Sequence, residues 1–292
     1  MARGSRAVAS PHRDDREGTP VTLRPHAPAV HDRIAGLVVA LVLLLVASGC
    51  SSAPLAPKAA SDRSDPPGLG ACYVLQPQDV ESPSNDAEPV GCGEGHTAQT
   101  FAIGTLPDST GDGYDDRGHG RWIYPRCEAA FEKFLGVDES LAMRIQLSWA
   151  WFRPSEKAWE DGARWYRCDL VGGTTESTAY RPLPNPTKGL FRAKPPEEWL
   201  TCATGATVLG STKGPCSEPH DWRAVTTIKL GEKADPYPGE RLTQVRTRDY
   251  CSDSVGAWMN YPVDYEFGFT WFKQAEWQAG NRRSICWAKT DR

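Results

Sequence analysis

The sequence predicts an α+β fold of two tandem disulfide-stabilised repeats, each a small antiparallel sheet with one packed helix. Three observations predict it: two matched sets of four cysteines, flanking segments that agree in register, and apolar residues whose spacing changes from alternating to helical within a set. Similarity at a fixed internal offset is the signature of a duplicated unit. A repeat of about 95 residues has a modest core, and exported domains of this size are commonly stabilised by disulfides.

Eight of the nine cysteines form the two sets, and Cys50 stands outside them. In each set the second and third cysteines are 35 residues apart. Even counts in matching sets predict two disulfides per repeat, and four cysteines allow three pairings. Spacing alone does not choose among these pairings; we favour first with second and third with fourth, because each bridge is then local. The predicted disulfide cysteines are Cys72, Cys92, Cys127 and Cys168 in the first repeat and Cys202, Cys216, Cys251 and Cys286 in the second.

The flanking segments define the boundaries of the repeats. Residues 92–96 read Cys-Gly-Glu-Gly-His and residues 216–220 read Cys-Ser-Glu-Pro-His, while a Trp-x-x-Gly segment stands nine residues before the last cysteine of each set. The proline-rich stretch between the repeats predicts a semi-rigid linker. The resulting segments are a leader at 1–49, a flexible tether at 50–70, the first repeat at 71–172, the linker at 173–198 and the second repeat at 199–292.

The leader ends immediately before Cys50. Residues 34–46 are an uncharged apolar run of signal-peptide length, too short to cross about 30 Å of hydrocarbon. The small residues that lead into Cys50 resemble the lipobox of bacterial lipoproteins. This resemblance implies that residues 1–49 are a signal peptide cut before Cys50, and that the Cys50 thiol is acylated with a fatty acid such as palmitate. An uncleaved helical anchor and an ordinary secreted product are the alternatives.

Residue spacing predicts the elements of each repeat. Apolar residues alternate with polar ones over 145–151, and residues 265–271 repeat this strand pattern. Two earlier segments of the first repeat also read as extended. Residues 127–135 instead have helical spacing, with Gly136 as the predicted stop. Each repeat is therefore predicted as β-β-α-β-β, with the helix on one side of an antiparallel sheet.

The charge balance limits the classes of partner. The chain has a net charge of −4, and residues 1–33 hold six arginines and four acidic residues, which leaves 27 basic and 33 acidic side chains in the remainder. Nucleic acids and anionic lipid surfaces are bound through basic faces. The composition therefore argues against both as partners.

The arrangement of motifs is similar to the septum-formation-related domain of actinobacterial envelope proteins. Each repeat has an initial cysteine, a Cys-x-Glu-x-His segment, a helix cysteine and a closing Trp-x-x-Gly-x-Arg-x-x-x-Cys. Residues 216–221 have the family's usual Cys-Ser-Glu-Pro-His-Asp form, whereas the first repeat departs from it at Gly93, Gly95 and Thr97. The resemblance implies an exported, membrane-attached envelope protein loosely tied to division, with no established chemistry.

Glu94 and His96, and their counterparts Glu218 and His220, are the candidate binding residues. On a strand, residues two apart share a face, so the cysteine, glutamate and histidine would converge as a credible zinc set. A bridged cysteine cannot ligate a metal, however, and exported cysteines are normally oxidised. We therefore predict a structural Glu–His pair beside a disulfide, with no metal or cofactor; a ligand-binding or pH-sensitive site and a metal site are the alternatives.

An acidic loop precedes the predicted helix. Asp108, Asp112 and Asp116 occupy positions one, five and nine of an EF-hand-like register, but Thr110 replaces the acid at position three and His119 stands where the bidentate glutamate belongs. We predict a solvated acidic turn rather than a calcium site.

No motif for catalysis is present, and bridged cysteines remove the obvious nucleophile. We predict a non-enzymatic lipoprotein at the extracytoplasmic face of the cell membrane, which binds another envelope protein or a cell-wall polymer and is linked to septum formation. The alternative is an envelope hydrolase or metal-binding protein that uses the paired Glu and His. Aromatic rings stack on ligands only when exposed, and the tryptophans predicted to be exposed are Trp122, Trp199 and Trp258.

Overall fold

A four-stranded antiparallel sheet forms the first part of the fold. The computed structural model describes residues 60–290. The sheet has the strand order β1-β2-β4-β3, and every neighbouring pair is antiparallel. Its strands are β1 (Cys72–Tyr73), β2 (Ala98–Thr105), β3 (Ser148–Phe152) and β4 (Trp165–Val171). The connections contain helix α1 (Asp116–Leu135) and the short helices α2 (Glu139–Ala142) and α3 (Glu156–Glu160).

Helix α1 begins and ends at residues whose chemistry explains both limits. The Asp115 side chain accepts hydrogen bonds from the backbone N–H groups of Arg117 and Gly118, which stabilises the first turn. Gly136 follows the helix in the left-handed conformation with φ 78°, and it donates its own N–H to the last turn. The predicted stop at Gly136 is confirmed, whereas the helix begins far upstream of the predicted start at Cys127.

The main core lies between α1 and the first sheet. The buried side chains of α1 recur every fourth residue, so they form one stripe that faces β2 and β4. This stripe consists of His119, Ile123, Cys127, Phe131 and Leu135.

The opposite face of the first sheet is covered by residues 61–90. The indole N–H of Trp165 donates to the carbonyl of Arg63 at 2.9 Å, and Leu75 is buried in the cluster on this face. At the edge of the sheet, Gly70 donates its backbone N–H to the carbonyl of Thr100 at 2.9 Å. Because both faces are covered, every residue of β4 is buried. The residues between Ser61 and Gly70, which belong to the predicted tether, thus contact the sheet.

A five-stranded antiparallel sheet forms the second part, with the order β6-β5-β7-β9-β8. The additional hairpin of β5 and β6 extends the predicted β-β-α-β-β order by one strand. The predicted α+β class with antiparallel sheets is confirmed. The strands are β5 (Thr201–Thr204), β6 (Thr212–Pro215), β7 (Trp222–Lys229), β8 (Phe267–Thr270) and β9 (Arg283–Lys289). The helices are α4 (Glu240–Trp258), between β7 and β8, and the short α5 (Gln274–Gln278), between β8 and β9.

Helix α4 packs on the second sheet as α1 packs on the first. Cys251 and Val255 of α4 are fully buried against β7 and β9, and the side chains of Phe267 and Phe269 in β8 complete this cluster. The other face of the sheet carries a separate cluster around Trp287.

Four pairs of cysteines lie at disulfide distance in the described residues. Within each set of four, the first is bonded to the second and the third to the fourth, with Cα–Cα distances of 4.9 to 5.6 Å. Two of the bridges tie a helix to an inner strand of its sheet, α1 to β4 and α4 to β9. The pairs are Cys72–Cys92, Cys127–Cys168, Cys202–Cys216 and Cys251–Cys286.

Polar contacts join the two sheets. Gln146 donates its backbone N–H to the carbonyl of Trp199 at 2.8 Å, and its side chain donates to Thr201 Oγ1 at 2.9 Å. Arg283 Nε lies 2.8 Å from Glu139 Oε2. The described residues accordingly lie in one compact unit.

Residues 173–198, the predicted linker, pack against α1. Leu183 and Phe191 are buried in the same cluster as the α1 stripe. Phe191 donates its backbone N–H to the carbonyl of Leu135, and Leu183 donates to the carbonyl of His96. The segment therefore contributes apolar burial to the first part of the fold.

Candidate functional site

Residues 92–96, the first candidate segment, form a turn that follows the Cys72–Cys92 bridge. Gly95 has φ 85°, and the chain around it makes no regular strand. Glu94 is consequently exposed, whereas His96 is 1% exposed. The side chains point to different environments, so the convergence expected for a strand does not occur.

The imidazole of His96 is enclosed without a side-chain partner. Neither ring nitrogen meets a partner of good hydrogen-bond geometry among the described residues, so the predicted Glu–His pair is wrong for Glu94 and His96. Burial lowers the pKa of His96, and the backbone carbonyl of Cys92 opposes this only in part. The ring is therefore held in its neutral form.

The second candidate segment separates its glutamate and histidine in the same way. His220 is 5% exposed, and its Nδ1 donates to the backbone carbonyl of Glu218 at 2.7 Å, since a carbonyl can only accept. The Glu218 side chain is exposed. Asp221, the next residue, accepts the backbone N–H of Gly205 at 2.6 Å. The histidine thus contacts the backbone of the turn rather than the carboxylate.

These two segments do not assemble a metal centre. Cys92 and Cys216 are bonded to other cysteines and have no free thiolate. Between residues 60 and 290, no group of three or more His, Cys, Asp or Glu side chains is placed to hold a metal ion. What each segment offers is a solvated carboxylate beside a buried imidazole.

The acidic loop distributes its carboxylates among separate structural contacts. Asp108 lies in a single 3-10 turn that ends at Thr110, and Asp115 caps α1. The backbone N–H of Gly118 lowers the pKa of Asp115. Asp116 forms an ion pair with Arg153. Asp115 and Asp116 are thus committed to different contacts, and these carboxylates do not converge on a common centre.

A buried polar cluster, which sequence reasoning missed, lies beneath this loop. The guanidinium of Arg153 is 1% exposed; it donates to His119 Nδ1 and to Asp116, and it lies 3.5 Å from the centroid of the Tyr114 ring. The His119 ring lies against Trp159, with centroids 4.4 Å apart. The partners of Arg153 precede it by 34 and 37 residues, so no local pattern indicated them.

An open groove adjoins this cluster. It has a volume of about 850 Å³ and is lined by Tyr114, Asp115, Asp116 and Arg117. Two acidic side chains stand beside one basic side chain along its wall, and Asp116 is already paired with Arg153. The groove therefore has mixed charge and no converging set of catalytic groups.

A second buried polar group lies on the other face of the first sheet. Arg167 Nε stands 3.1 Å from Asp169 Oδ2, and both side chains are almost completely buried. Thr100 Oγ1 donates to Asp169 Oδ1 at 2.7 Å. Burial raises the pKa of Asp169, and the charge of Arg167 works against that rise. At the matching positions beside Cys286, the second sheet has Ile285 and Trp287.

The tryptophans predicted to be exposed differ from one another. Trp258 is 50% exposed and Trp122 is partly buried, whereas Trp199 is only 3% exposed. The prediction for Trp199 is wrong because a 3-10 turn places its ring in the core, with the guanidinium of Arg181 4.6 Å from its centroid. Beyond α4, Tyr261 is also exposed. Trp258 and Tyr261 therefore give the second part of the fold an aromatic surface.

The predicted lipid attachment residue, Cys50, and the leader before it lie outside the described residues. None of the helices between residues 60 and 290 is both long and apolar enough to cross a membrane.

One comparison with known proteins gives a match. The family model described as septum formation matches residues 144–286, from Arg144 just before β3 to Cys286 in β9. The resemblance noted from the sequence is confirmed over this stretch. No curated protein and no solved structure matched the chain.

Proposed function

We propose, from the premise that residues 144–286 belong to the septum formation family, that this chain is a non-enzymatic lipoprotein of the bacterial cell envelope. In this proposal, Cys50 carries the lipid and holds the folded part at the extracytoplasmic face of the cell membrane. The folded part binds an envelope protein or a cell-wall polymer during septum formation. The family match is the observation that carries the proposal.

The proposal includes a tandem origin for the two parts of the fold. In each part a disulfide joins the long helix to the last strand, which pairs with a strand on either side. A Trp-x-x-Gly segment precedes that last strand in both parts. Each also has a local bridge near its beginning. These correspondences support two copies of one unit, at 71–172 and 199–292.

A binding role fits the chemistry of the candidate residues better than catalysis. A general acid–base pair must bring both groups to one substrate, whereas Glu94 and Glu218 are exposed and the histidines beside them are buried. The eight cysteines of the described part are all bonded in pairs, which leaves no thiolate there to act as a nucleophile.

Exposed aromatic side chains support a binding surface on the second part of the fold. Trp258 and Tyr261 are 50% and 67% exposed, and the adjacent Val263 is 99% exposed. Large rings with one accessible side provide contact area at low conformational cost. This surface lies within the stretch that matches the family.

The anchor is tested by labelling cells with a palmitate analogue and separating membrane from soluble fractions. We expect the full chain to carry the label and to sediment with membranes, and the Cys50→Ser variant to lose both properties. The control is Ser51→Ala, which changes the neighbouring residue and should retain the label. A substitution of Cys72 is unsuitable as a control because it would break the bridge to Cys92. Label that persists in Cys50→Ser contradicts the proposed attachment residue.

The link to division is tested separately by microscopy of a fluorescent fusion at the carboxyl end. We expect the fusion to concentrate at division septa, and the Trp258→Ala/Tyr261→Ala variant to stay on the membrane without septal enrichment. A uniform membrane signal from the unaltered chain contradicts the septal role while leaving the anchor intact.

A further inference from the structure

Two of the four edge strands in the described sheets are protected from pairing with another chain. Beside β1, the backbone N–H of Val90 donates to the carbonyl of Cys72 at 2.8 Å, so that edge is occupied. Strand β6 is short and carries Lys213 and Pro215, two residues that discourage edge pairing.

The edge of β3 is confined at both ends. Gln146 before the strand donates its backbone N–H to Trp199, and Arg153 after it donates to Pro83. A partner strand would therefore collide with chain segments already hydrogen-bonded along this line. Only a short window of β3, around Trp149 and Trp151, remains uncovered.

Strand β8 differs because it presents an uncovered edge without a blocking residue. Its sequence, Phe-Gly-Phe-Thr, contains no charge and no proline. It pairs with β9 alone, and no other strand of the described chain lies beside it.

The register identifies which backbone groups of β8 are free. Lys289 donates its backbone N–H to the carbonyl of Glu266, in line with the pairing of Gly268 opposite Trp287. Since backbone direction alternates along an antiparallel strand, the even-numbered residues of β8 face β9. The N–H and C=O groups of Phe267 and Phe269 consequently point away from the sheet.

We propose that β8 pairs with β8 of a second copy of this chain, antiparallel about a two-fold axis at Phe269. A two-fold interface requires a surface that is complementary to itself. In this register Phe269 lies opposite Phe269 of the other copy, and Phe267 lies opposite Trp271. The two five-stranded sheets then form one continuous ten-stranded sheet. This inference does not depend on the proposed role in septum formation.

The side chains of β8 suit this pairing. Phe267, Phe269 and Trp271 form a row on the α4 side of the strand, with neighbouring ring centroids 6.5 and 5.7 Å apart. Each ring of the row would meet another aromatic ring across the axis, and aromatic cross-strand pairs are among the stabilising ones. All three residues are only partly buried in the single chain, so pairing removes further aromatic surface from water.

The charges beside β8 are also compatible with a second copy. In the proposed register no like charges stand opposite each other. The flanking pairs are Tyr265 with Lys273, Glu266 with Phe272, and Asp264 with Gln274. A strongly basic or acidic partner strand would find no opposite charges along β8 with which to form ion pairs.

The first test is the mass of the detergent-solubilised full chain by sedimentation. The Phe269→Pro variant removes an N–H that makes no bond to β9, and its ring blocks the edge. We expect the unaltered chain to dimerise and Phe269→Pro to weaken the dimer by about tenfold or more. Phe269→Leu, which keeps the N–H and an apolar side chain, remains a dimer. Trp149→Pro, on the edge of β3, also remains a dimer.

The second test needs no variant and stays informative if Phe269→Pro fails to fold. Free edge amides exchange with solvent, whereas amides bonded across an interface are protected. We expect hydrogen exchange at the amides of Phe267, Phe269 and Trp271 to be slow in concentrated protein and faster after about a hundredfold dilution. Exchange that is fast at every concentration overturns the proposal.

The remaining outcomes are equally decisive. A monomer at all accessible concentrations overturns the pairing. Dimer loss in both Phe269→Pro and Trp149→Pro indicates head-to-tail contact between β8 and β3, which overturns the two-fold arrangement. Equal weakening of the dimer in Phe269→Leu and Phe269→Pro, with no concentration-dependent protection of the β8 amides, assigns the contact to side chains alone and overturns the strand pairing.

Discussion

Arg153 donates a hydrogen bond to Nδ1 of His119, although both side chains are buried. Because a guanidinium can only donate, Nδ1 must be the unprotonated nitrogen, and the ring proton resides on Nε2. The same guanidinium pairs with Asp116. This contact joins the first turn of α1 to the end of β3 and requires a neutral imidazole.

We therefore expect acid to destabilise the fold through His119. Burial lowers its pKa below 6.5; Asp115 opposes the shift and Arg164 adds to it. The unfolded chain binds a proton that the folded chain excludes, so stability falls as pH drops below about 6.5. One such proton contributes up to about 1.4 kcal/mol per pH unit.

Urea unfolding between neutral and mildly acidic pH measures this effect. His119→Gln should show a shallower pH dependence than the unaltered chain, while its stability at neutral pH is itself reduced. An unchanged slope in His119→Gln would assign the acid sensitivity to another group, of which His96 is the first to examine because burial also lowers its pKa.

The buried pair of Arg167 and Asp169 gives a second prediction. Asp169→Asn retains an acceptor for Thr100 but leaves the Arg167 charge uncompensated, and breaking a buried pair typically costs about 3–5 kcal/mol. The double variant Arg167→Met/Asp169→Leu should recover much of this loss, because it removes both charges together. Denaturant unfolding of the three proteins checks the order; equal losses in the two variants would contradict it.

The bridges should contribute according to the loops that they close. The Cys127–Cys168 bridge spans 41 residues and the Cys202–Cys216 bridge spans 14. Loop entropy predicts losses of about 4 and 3 kcal/mol when each pair is replaced by alanine. Thermal unfolding of the two double variants measures the difference. A larger loss from the shorter loop would show that local packing dominates.

Alanine substitution should lower the free energy of unfolding strongly at His96 and hardly at all at Glu94. His96→Ala leaves a cavity in a buried site and should cost about 2 kcal/mol or more. Glu94→Ala is the matched control, since an exposed side chain typically changes stability by less than about 0.5 kcal/mol. Comparable destabilisation by both variants would indicate an interaction between them that the structure does not contain.

Local chemistry accounts for what the sequence predicted. The repeated spacing of the cysteines identified the two sets that form bridges, and the preference for local bridges gave the pairs within each set. Gly136 marked a helix end because a left-handed residue is required there. The beginning of α1 was missed because Gly118, Gly120 and Pro125 are unfavourable inside a helix. Tertiary packing and the Asp115 cap overcome that local preference.

Long-range contacts account for what the sequence did not predict. Trp199 lies in a proline-flanked segment that reads as exposed, yet its burial depends on the α1 core and on Arg181. Residues 92–96 were considered as a strand because the cysteine, glutamate and histidine stand at every second position. This spacing places side chains on one face of a strand, but it also occurs in turns. The positive φ of Gly95 decides between them, and glycine permits this value without requiring it.

The order of the bridges also bears on how the chain matures. Each bridge in the described part joins two cysteines that follow one another in the sequence with no other cysteine between them. A chain that enters an oxidising compartment with its amino end leading therefore presents each thiol immediately before its mate. We expect oxidation in order of arrival to favour these pairs over the alternatives, so that little reshuffling of mispaired cysteines is needed.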